Sequence, residues 1–336
     1  METKIYYMSK NKVGNNKSFD SKIMLFGEYS IICNSMALTI PYSHFNGSLR
    51  FINKNHYTDL DFARNSNQQL REYYEQYLQP IADKNGLPSK FNHKLLEKEI
   101  EDGLYFESSI PEGYGLGSSG ALVAALYHRY AKNGIASSRS STSKADIPQL
   151  KSDLATLESW FHGTSSGIDP LICYIQHPLL IKENQTIHPI DIPRYELRSE
   201  DAIFLINSGK AIKTAPLVDQ FMKDCEKPAF KDSIINEYIP VNNSCIQALI
   251  DADIDKFTHN IQALSEFQVN HFTRMIPPSL HEEWKEGLSS GKFTLKLCGS
   301  GGGGFILGFT RNYSEVKELF TEKGIEVIPV YQYENK

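Results

Sequence analysis

The segment PEGYGLGSSG, residues 111–120, places a dense glycine loop between a strand-like stretch and a strong helix pattern. The stretch before it, 104–110, is rich in large apolar residues, and ALVAALYHRYA after it has a helix-forming composition. Ser118 and Ser119 stand where N-cap or first-turn residues belong. Because free N–H groups and the positive helix end would face this loop, the arrangement predicts a phosphate-binding turn.

A second glycine stretch, GSGGGG at 299–304, lies between two strand-like stretches. It is consistent with a tight hairpin or with a loop that approaches a ligand closely. A dinucleotide-binding unit is disfavoured for both glycine loops. No helix pattern follows the second loop, and the helix after the first loop leads to a Ser-rich stretch instead of a strand that ends in an acidic residue. A Walker loop is excluded because no Lys follows Gly120.

The composition is that of an ordinary globular protein. The chain has 336 residues, enough for two domains of roughly 150 residues each. Its net charge of −5 argues against nucleic acid or an anionic membrane surface as a partner. The 5 cysteines show no paired spacing, and we find neither a signal-peptide pattern nor a long apolar run. We therefore expect reduced thiols and a cytoplasmic location.

The order of elements predicts an α+β protein. Periodicity and punctuation predict helices over 68–78, 150–161, 257–275 and 313–323, and strands on both sides of Gly27 and over 202–209 and 326–331. His271 on the third helix is expected to be a buried, hydrogen-bonded histidine. The Ser-rich stretch 133–149 is expected to be a surface loop, with a phosphosite or a nucleic-acid arm as the alternatives.

Four motifs, in this order, resemble those of the GHMP kinases, the superfamily of galacto-, homoserine, mevalonate and phosphomevalonate kinases. They are SKIMLFGEYSII (21–32), PEGYGLGSSGA (111–121), ESWFHGTSSGIDP (158–170) and KLCGSGGGGF (296–305). INSGKAIKTAPLV (206–218) also resembles the segment that opens the second domain of mevalonate kinases. The resemblance implies an N-terminal ribosomal-S5-domain-2-like domain (1–195) and a C-terminal ferredoxin-like domain (196–336), with ATP and the acceptor in the cleft between them.

The resemblance also assigns roles to individual residues. Asp169 would accept or orient the proton of the acceptor hydroxyl, and Lys22 would keep Asp169 ionised and stabilise transferred charge. Ser119 and Glu158 would hold Mg²⁺. The residues expected at the ATP phosphates are Pro111, Glu112, Gly113, Gly115, Leu116, Gly117, Ser118, Ser119 and Gly120. Those expected at the acceptor are Glu28, Tyr29, His162, Ser165, Ser166, Gly301, Gly302 and Gly303.

Taken without the resemblance, three of these residues have simpler interpretations. Glu158 is also consistent with an exposed helix carboxylate, Asp169 with a helix N-cap, and Lys22 with a lysine at a strand edge. The structure can distinguish these interpretations by burial and by hydrogen-bond partners.

The acceptor is the least determined part of the function. Mevalonate is expected from HGTSSGID and the C-terminal glycine motif, although GEY at 27–29 replaces the usual GEH and is closer to phosphomevalonate kinases. The cations next to the motifs are Lys22, Lys210, Lys213 and Lys296. A second phosphate would need several Arg or Lys donors. Phosphomevalonate, a sugar and a catalytically silent metabolite sensor remain alternatives, and a homodimer is among the open oligomeric states.

Overall fold

The computed structural model describes residues 17–54, 59–88, 91–132, 146–193, 200–211 and 215–332. Its helices are α1 (Leu60–Tyr73), α2 (Gln79–Asp83), α3 (His93–Glu101), α4 (Ser118–Tyr130), α5 (Ile147–His162), α6 (Ile168–Ile175), α7 (Ala215–Asp224), α8 (Pro228–Ser233), α9 (Ile239–Ile250), α10 (Ile254–His271), α11 (His281–Ser290) and α12 (Tyr313–Glu322). Its strands are β1 (Phe19–Phe26), β2 (Ala37–Phe51), β3 (Leu104–Ser108), β4 (Leu179–Ile181), β5 (Ile187–Pro189), β6 (Ala202–Asn207), β7 (Phe293–Leu297), β8 (Phe305–Thr310) and β9 (Val327–Gln332).

The chain forms two compact units. The first unit comprises Met1–Lys22, Pro41–Ile110 and Gly117–Gln176, and the second comprises Ile23–Ile40, Pro111–Leu116 and His177–Lys336. The polypeptide therefore passes from one unit to the other five times: inside β1, inside β2, at both ends of Pro111–Leu116 in the first glycine loop, and after Gln176. The domain boundary expected at 195/196 stays a prediction.

In the first unit, β2 pairs antiparallel with β3, from Gly47↔Ser108 to Phe51↔Leu104. The side chain of Asp59 accepts hydrogen bonds from the first backbone N–H groups of α1, and Asn92 does the same for α3. A π-helical segment, Tyr74–Leu78, separates α1 from α2. It lies just before Pro80, whose missing N–H interrupts the α-helical hydrogen-bond pattern. Large buried side chains, Tyr73, Tyr105 and Tyr130 among them, form the core.

In the second unit, Ala37–Thr39 of β2 pairs antiparallel with β4, and β4 pairs with β5. A second sheet has the strand order β7-β8-β6-β9, with every pairing antiparallel. The core around this sheet contains Trp284, Phe204 and Phe293, each at most 2% exposed. The indole N–H of Trp284 is satisfied by Ser265 Oγ at 2.8 Å.

These elements confirm the predicted α+β class, with antiparallel sheets and helices in both units. The expectation for His271 was wrong, because its ring is exposed and stacks on Phe267 with ring centroids 4.2 Å apart. Most of the Ser-rich stretch, 133–145, lies outside the described residues, and its end, from Ile147, belongs to α5. Within the described part of the chain, no helix has the length and apolar character needed to cross a membrane.

Candidate active site

Helix α4 begins directly after the first glycine loop. Its N-cap is Gly117, with a φ of 76° in the left-handed region, and Ser118 and Ser119 are its first two residues. No side chain among the described residues caps this end, and the first turn carries no acidic residue. The first N–H groups of a helix have no acceptor within the helix, so this terminus suits an anion.

Two glycines bring other elements of the first unit close to this terminus. A Cβ atom on Gly117 would lie 2.8 Å from Lys22 Cγ, and one on Gly120 would lie 2.9 Å from the backbone carbonyl carbon of Asp169. Both distances are too short for a Cβ atom, so a larger residue at position 117 would displace the Lys22 side chain and one at position 120 would collide with the α6 backbone. The glycines therefore place Lys22 and Asp169 beside the first turn of α4.

Lys22 and Asp169 form an ion pair, with Lys22 Nζ 3.0 Å from Asp169 Oδ2. The lysine side chain is 6% exposed and the aspartate side chain 36% exposed, so the pair is open to solvent on the Asp169 side. The N-cap of α6 is Gly167, and Asp169 lies in the first turn without capping the helix. The structure thus rules out the helix-cap interpretation of Asp169. Lys22 does lie on an edge strand, since β1 is the last strand of its sheet, but its side chain is buried and ion-paired rather than solvated.

Glu158 lies on α5 and is buried, at 3% exposure, which excludes the interpretation as an exposed helix carboxylate. Ser119 Oγ donates to Glu158 Oε1 at 3.1 Å, and Ser165 Oγ donates to Glu158 Oε2 at 2.5 Å. His162 Nε2 is 3.1 Å from Ser119 Oγ. The structure therefore brings Ser119, Glu158, Ser165 and His162 together, whereas the hydroxyl of Ser166 accepts from the N–H of Ile168 at 3.3 Å at the start of α6.

The environment of Glu158 makes its negative charge costly. Burial raises the pKa of Glu158 to about 7, and the negative charge of Asp169 adds to this effect. The two serine hydrogen bonds and Lys22 act in the opposite direction without cancelling it. A cation at this carboxylate would remove the cost.

The described residues contain no group of three or more His, Cys, Asp or Glu side chains arranged to hold a metal ion. Mg²⁺ needs fewer protein ligands, because it is commonly held by one or two carboxylates together with phosphates and water. The buried carboxylate of Glu158 and the hydroxyl of Ser119 are hard oxygen donors next to a helix terminus that suits an anion. These residues fit Mg²⁺, and the glycine-lined helix terminus fits a phosphate chain.

Cys173 lies beneath this cluster on α6. It is fully buried, and its Sγ is 3.9 Å from the carbonyl oxygen of Gly117. Burial, followed by the charge of Asp169, raises its pKa well above the ordinary range. The thiol therefore stays protonated and contributes packing rather than a nucleophile.

In the second unit, the two glycine loops approach each other backbone to backbone. A Cβ on Gly304 would lie 2.9 Å from Tyr114 Cα, and one on Gly115 would lie 3.4 Å from the carbonyl oxygen of Cys298. The second loop does join the antiparallel strands β7 and β8. It is longer than the two to five residues of common hairpin loops. The predicted hairpin is therefore confirmed, although its loop is longer than that of a tight hairpin. The close approach that the structure shows is to the first glycine loop, and the expected approach to a ligand stays a prediction.

Three predicted acceptor residues have protein partners that the sequence did not indicate. Glu28 is 3% exposed, and Lys296 Nζ donates to its Oε1 at 2.5 Å. The hydroxyl of Tyr29 donates to the carbonyl oxygen of Ser300 at 2.5 Å. At Gly301 a Cβ would collide with the carbonyl oxygen of Met275. A lysine within the largely apolar strand β7 was the available signal for a buried partner.

A family model, that of the GHMP kinases N terminal domain, matches residues 86–176. This range contains α4 with its glycine loop and the cluster formed by Ser119, Glu158 and Asp169. The resemblance to the GHMP kinases predicted from the motifs is thereby confirmed. A comparison with curated protein sequences finds no match.

Solved structures with the same fold include L. major mevalonate kinase in complex with R-mevalonate, at 16% identity and a TM-score of 0.61, covering 96% of this chain and 98% of that chain. Streptococcus pneumoniae phosphomevalonate kinase with phosphomevalonate and AMPPNP aligns at 13% identity and a TM-score of 0.58, covering 94% and 100%. Lactococcus lactis galactokinase with galactose aligns at 12% identity and a TM-score of 0.58, covering 96% and 94%. These alignments establish the GHMP kinase fold.

Proposed function

We propose that this protein is an ATP- and Mg²⁺-dependent kinase that phosphorylates the hydroxyl of a small molecule. The observation that carries the proposal is the Lys22–Asp169 ion pair, held by glycine contacts against the first turn of α4. Phosphoryl transfer requires charge neutralisation, in-line positioning and a group that orients the attacking hydroxyl. This cluster offers a residue for each requirement.

The roles follow from chemistry and position. Backbone N–H groups of residues 111–120 would bind the ATP phosphates, and Ser119 and Glu158 would hold Mg²⁺, which supplies positive charge to those phosphates. Asp169 accepts or orients the proton of the acceptor hydroxyl. As the acceptor oxygen bonds to the γ-phosphorus and the bond to ADP breaks, Lys22 stabilises the negative charge on the transferred group.

We propose mevalonate as the acceptor. The support is the likeness of the segment around His162, Ser165 and Ser166 to mevalonate kinases, together with the small number of cations next to the motifs. Phosphomevalonate would bring about two further charges, which Arg or Lys donors normally meet. The tyrosine at position 29 favours phosphomevalonate instead, so this acceptor is the second candidate.

A metabolite sensor without catalysis is the alternative from another class. Loss of catalysis is expected to leave gaps among Lys22, Ser119, Glu158 and Asp169, and all four are present. We further propose a cytoplasmic setting, a small-molecule acceptor and ATP as the binding partners, and neither nucleic acid nor membrane as a partner. Whether the protein is a homodimer can be measured by light scattering.

An ATP-consumption assay over mevalonate, phosphomevalonate, homoserine and free sugars, with and without EDTA, tests the proposal. We expect EDTA-sensitive turnover, with kcat/KM highest for mevalonate. Asp169→Asn should abolish most of this turnover, and Asp102→Asn, at an exposed position of the same unit, should not. A preference for phosphomevalonate or a sugar would change the acceptor only, whereas no turnover with any acceptor would refute the kinase.

A further inference from the structure

We infer that Tyr29 is a positioning residue, and that its hydroxyl anchors the second glycine loop (299–304) rather than contacting the acceptor. The hydroxyl donates to the carbonyl oxygen of Ser300. The ring is 5% exposed, which leaves little of it to meet a ligand. As a role in catalysis, this inference rests on the proposed function, while the anchoring itself does not.

The backbone and the packing of Tyr29 both hold the hydroxyl in place. Its φ of 63° is unusual for an aromatic residue and persists only where the surroundings enforce it. Its ring packs against Phe221 and Phe272, with ring centroids at 4.8 and 5.4 Å. Because the ring cannot easily move, the hydroxyl is a fixed donor for the loop.

A second connection joins the same turn to the strand that leads into the loop. Glu28 accepts from Lys296 Nζ, which also donates to the carbonyl oxygen of Leu297 at 2.6 Å. The hydroxyl of Tyr238 donates to the Glu28 carbonyl oxygen at 3.3 Å, and the side chain of Gln268 donates to that hydroxyl at 2.8 Å. The turn 27–29 is thus attached both before the loop and within it.

The loop needs such an anchor because of its composition. Four of its residues, Gly299, Gly301, Gly302 and Gly304, have positive φ. Glycine-rich backbone gains the most conformational freedom when a contact is lost. Further along, backbone hydrogen bonds hold the loop: the N–H of Gly302 donates to the carbonyl oxygen of Met275, and the N–H of Gly304 donates to that of Lys210. The Tyr29 hydroxyl adds a side-chain hydrogen bond in the first half of the loop.

Tyr29→Phe keeps the ring and removes the hydroxyl. Tyr313→Phe is the matched control, since Tyr313 is buried in the same unit and its hydroxyl has no hydrogen-bond partner among the described residues. Hydrogen exchange of peptides covering 298–305 should become about 5-fold faster in Tyr29→Phe and stay unchanged in the control. This factor is the loss of protection expected when one neutral hydrogen bond is removed. This measurement requires no enzymatic activity.

Steady-state kinetics form the second arm. We expect kcat of Tyr29→Phe to fall by about 5-fold with an unchanged KM for the acceptor. Tyr29→His should fail to restore loop protection, even though it installs the histidine expected from the resemblance. Three results for Tyr29→Phe would each overturn the inference. They are an unchanged rate of hydrogen exchange in the loop, faster exchange with an unchanged kcat, and a change limited to a higher KM for the acceptor. A wild type inactive with every acceptor, but with faster loop exchange in Tyr29→Phe, would refute the proposed kinase and support the anchor.

Discussion

Glu158→Gln should make the protein more stable above pH 7 while it removes a proposed Mg²⁺ ligand. The folded-state pKa of Glu158 is raised from 4.5 to about 7, with burial as the largest cause. Between these two values the unfolded chain has released the proton and the folded chain still holds it. The free energy of unfolding therefore falls as pH rises through this window, by about 1.4 kcal/mol per pH unit and about 3 kcal/mol in total. Glutamine has the same shape and cannot ionise, so the variant escapes this loss.

Thermal unfolding of metal-free and nucleotide-free protein from pH 5 to 8 measures the effect. At about 2–4 °C per kcal/mol for a unit of this size, the Tm difference between Glu158→Gln and wild type should grow by ~6–12 °C in favour of the variant. Glu101→Gln, at an exposed helix position of the same unit, should show no such trend. A Tm difference that does not change with pH would refute the account of a buried carboxylate with a costly charge.

Three further predictions concern the same machinery and its support. Asp169→Asn should lower kcat by ~10²–10⁴ while nucleotide affinity, measured by calorimetry, stays nearly unchanged; wild-type turnover at saturating substrates would contradict its role. Ser119→Ala and Glu158→Gln should each raise the Mg²⁺ concentration that gives half-maximal rate, and titrations that superimpose on wild type would place the metal elsewhere. Lys296→Met leaves the buried carboxylate of Glu28 without its cation and should lower the free energy of unfolding by about 3–5 kcal/mol. The double variant Glu28→Gln/Lys296→Met should recover part of this stability, and thermal unfolding measures both changes.

Much of the fold was predictable because its elements carry local signals. The strand β1 that ends before Gly27, the helix α4 after its glycine loop, and the strands β6 and β9 follow periodicity and punctuation. The second predicted strand does not begin directly after Gly27, because a 3-10 turn at Ser30–Cys33 precedes β2. The sequence analysis missed several helices, among them α8 and α9. Both carry a proline in their first turn, where it fits a helix although it reads as a breaker.

The candidate site was predictable in its residue types and not in its environment. The motifs named Ser119, Glu158 and Asp169, but the burial that raises the Glu158 pKa depends on how α5 packs against α4 and α6, which the local pattern does not specify. The Glu28–Lys296 pair joins residues 268 positions apart, so the lysine in β7 indicates a buried partner without identifying which residue it is. His271 shows the converse error, since the end of α10 leaves it exposed on a face that periodicity assigns to the core.

The protonated, fully buried thiol of Cys173 has a practical consequence for chemical labelling. Cys173, Cys245 and Cys298 are all buried, and the pKa of the half-buried Cys225 is raised to about 11, chiefly by burial. Thiolates rather than thiols react with maleimides, so these four cysteines should react slowly. Cys33, which is half-buried and lies against Cys225, is the attachment point four residues after Tyr29. A fluorophore there would report on the turn without first mutating Cys173, the cysteine beneath the proposed phosphate-binding turn.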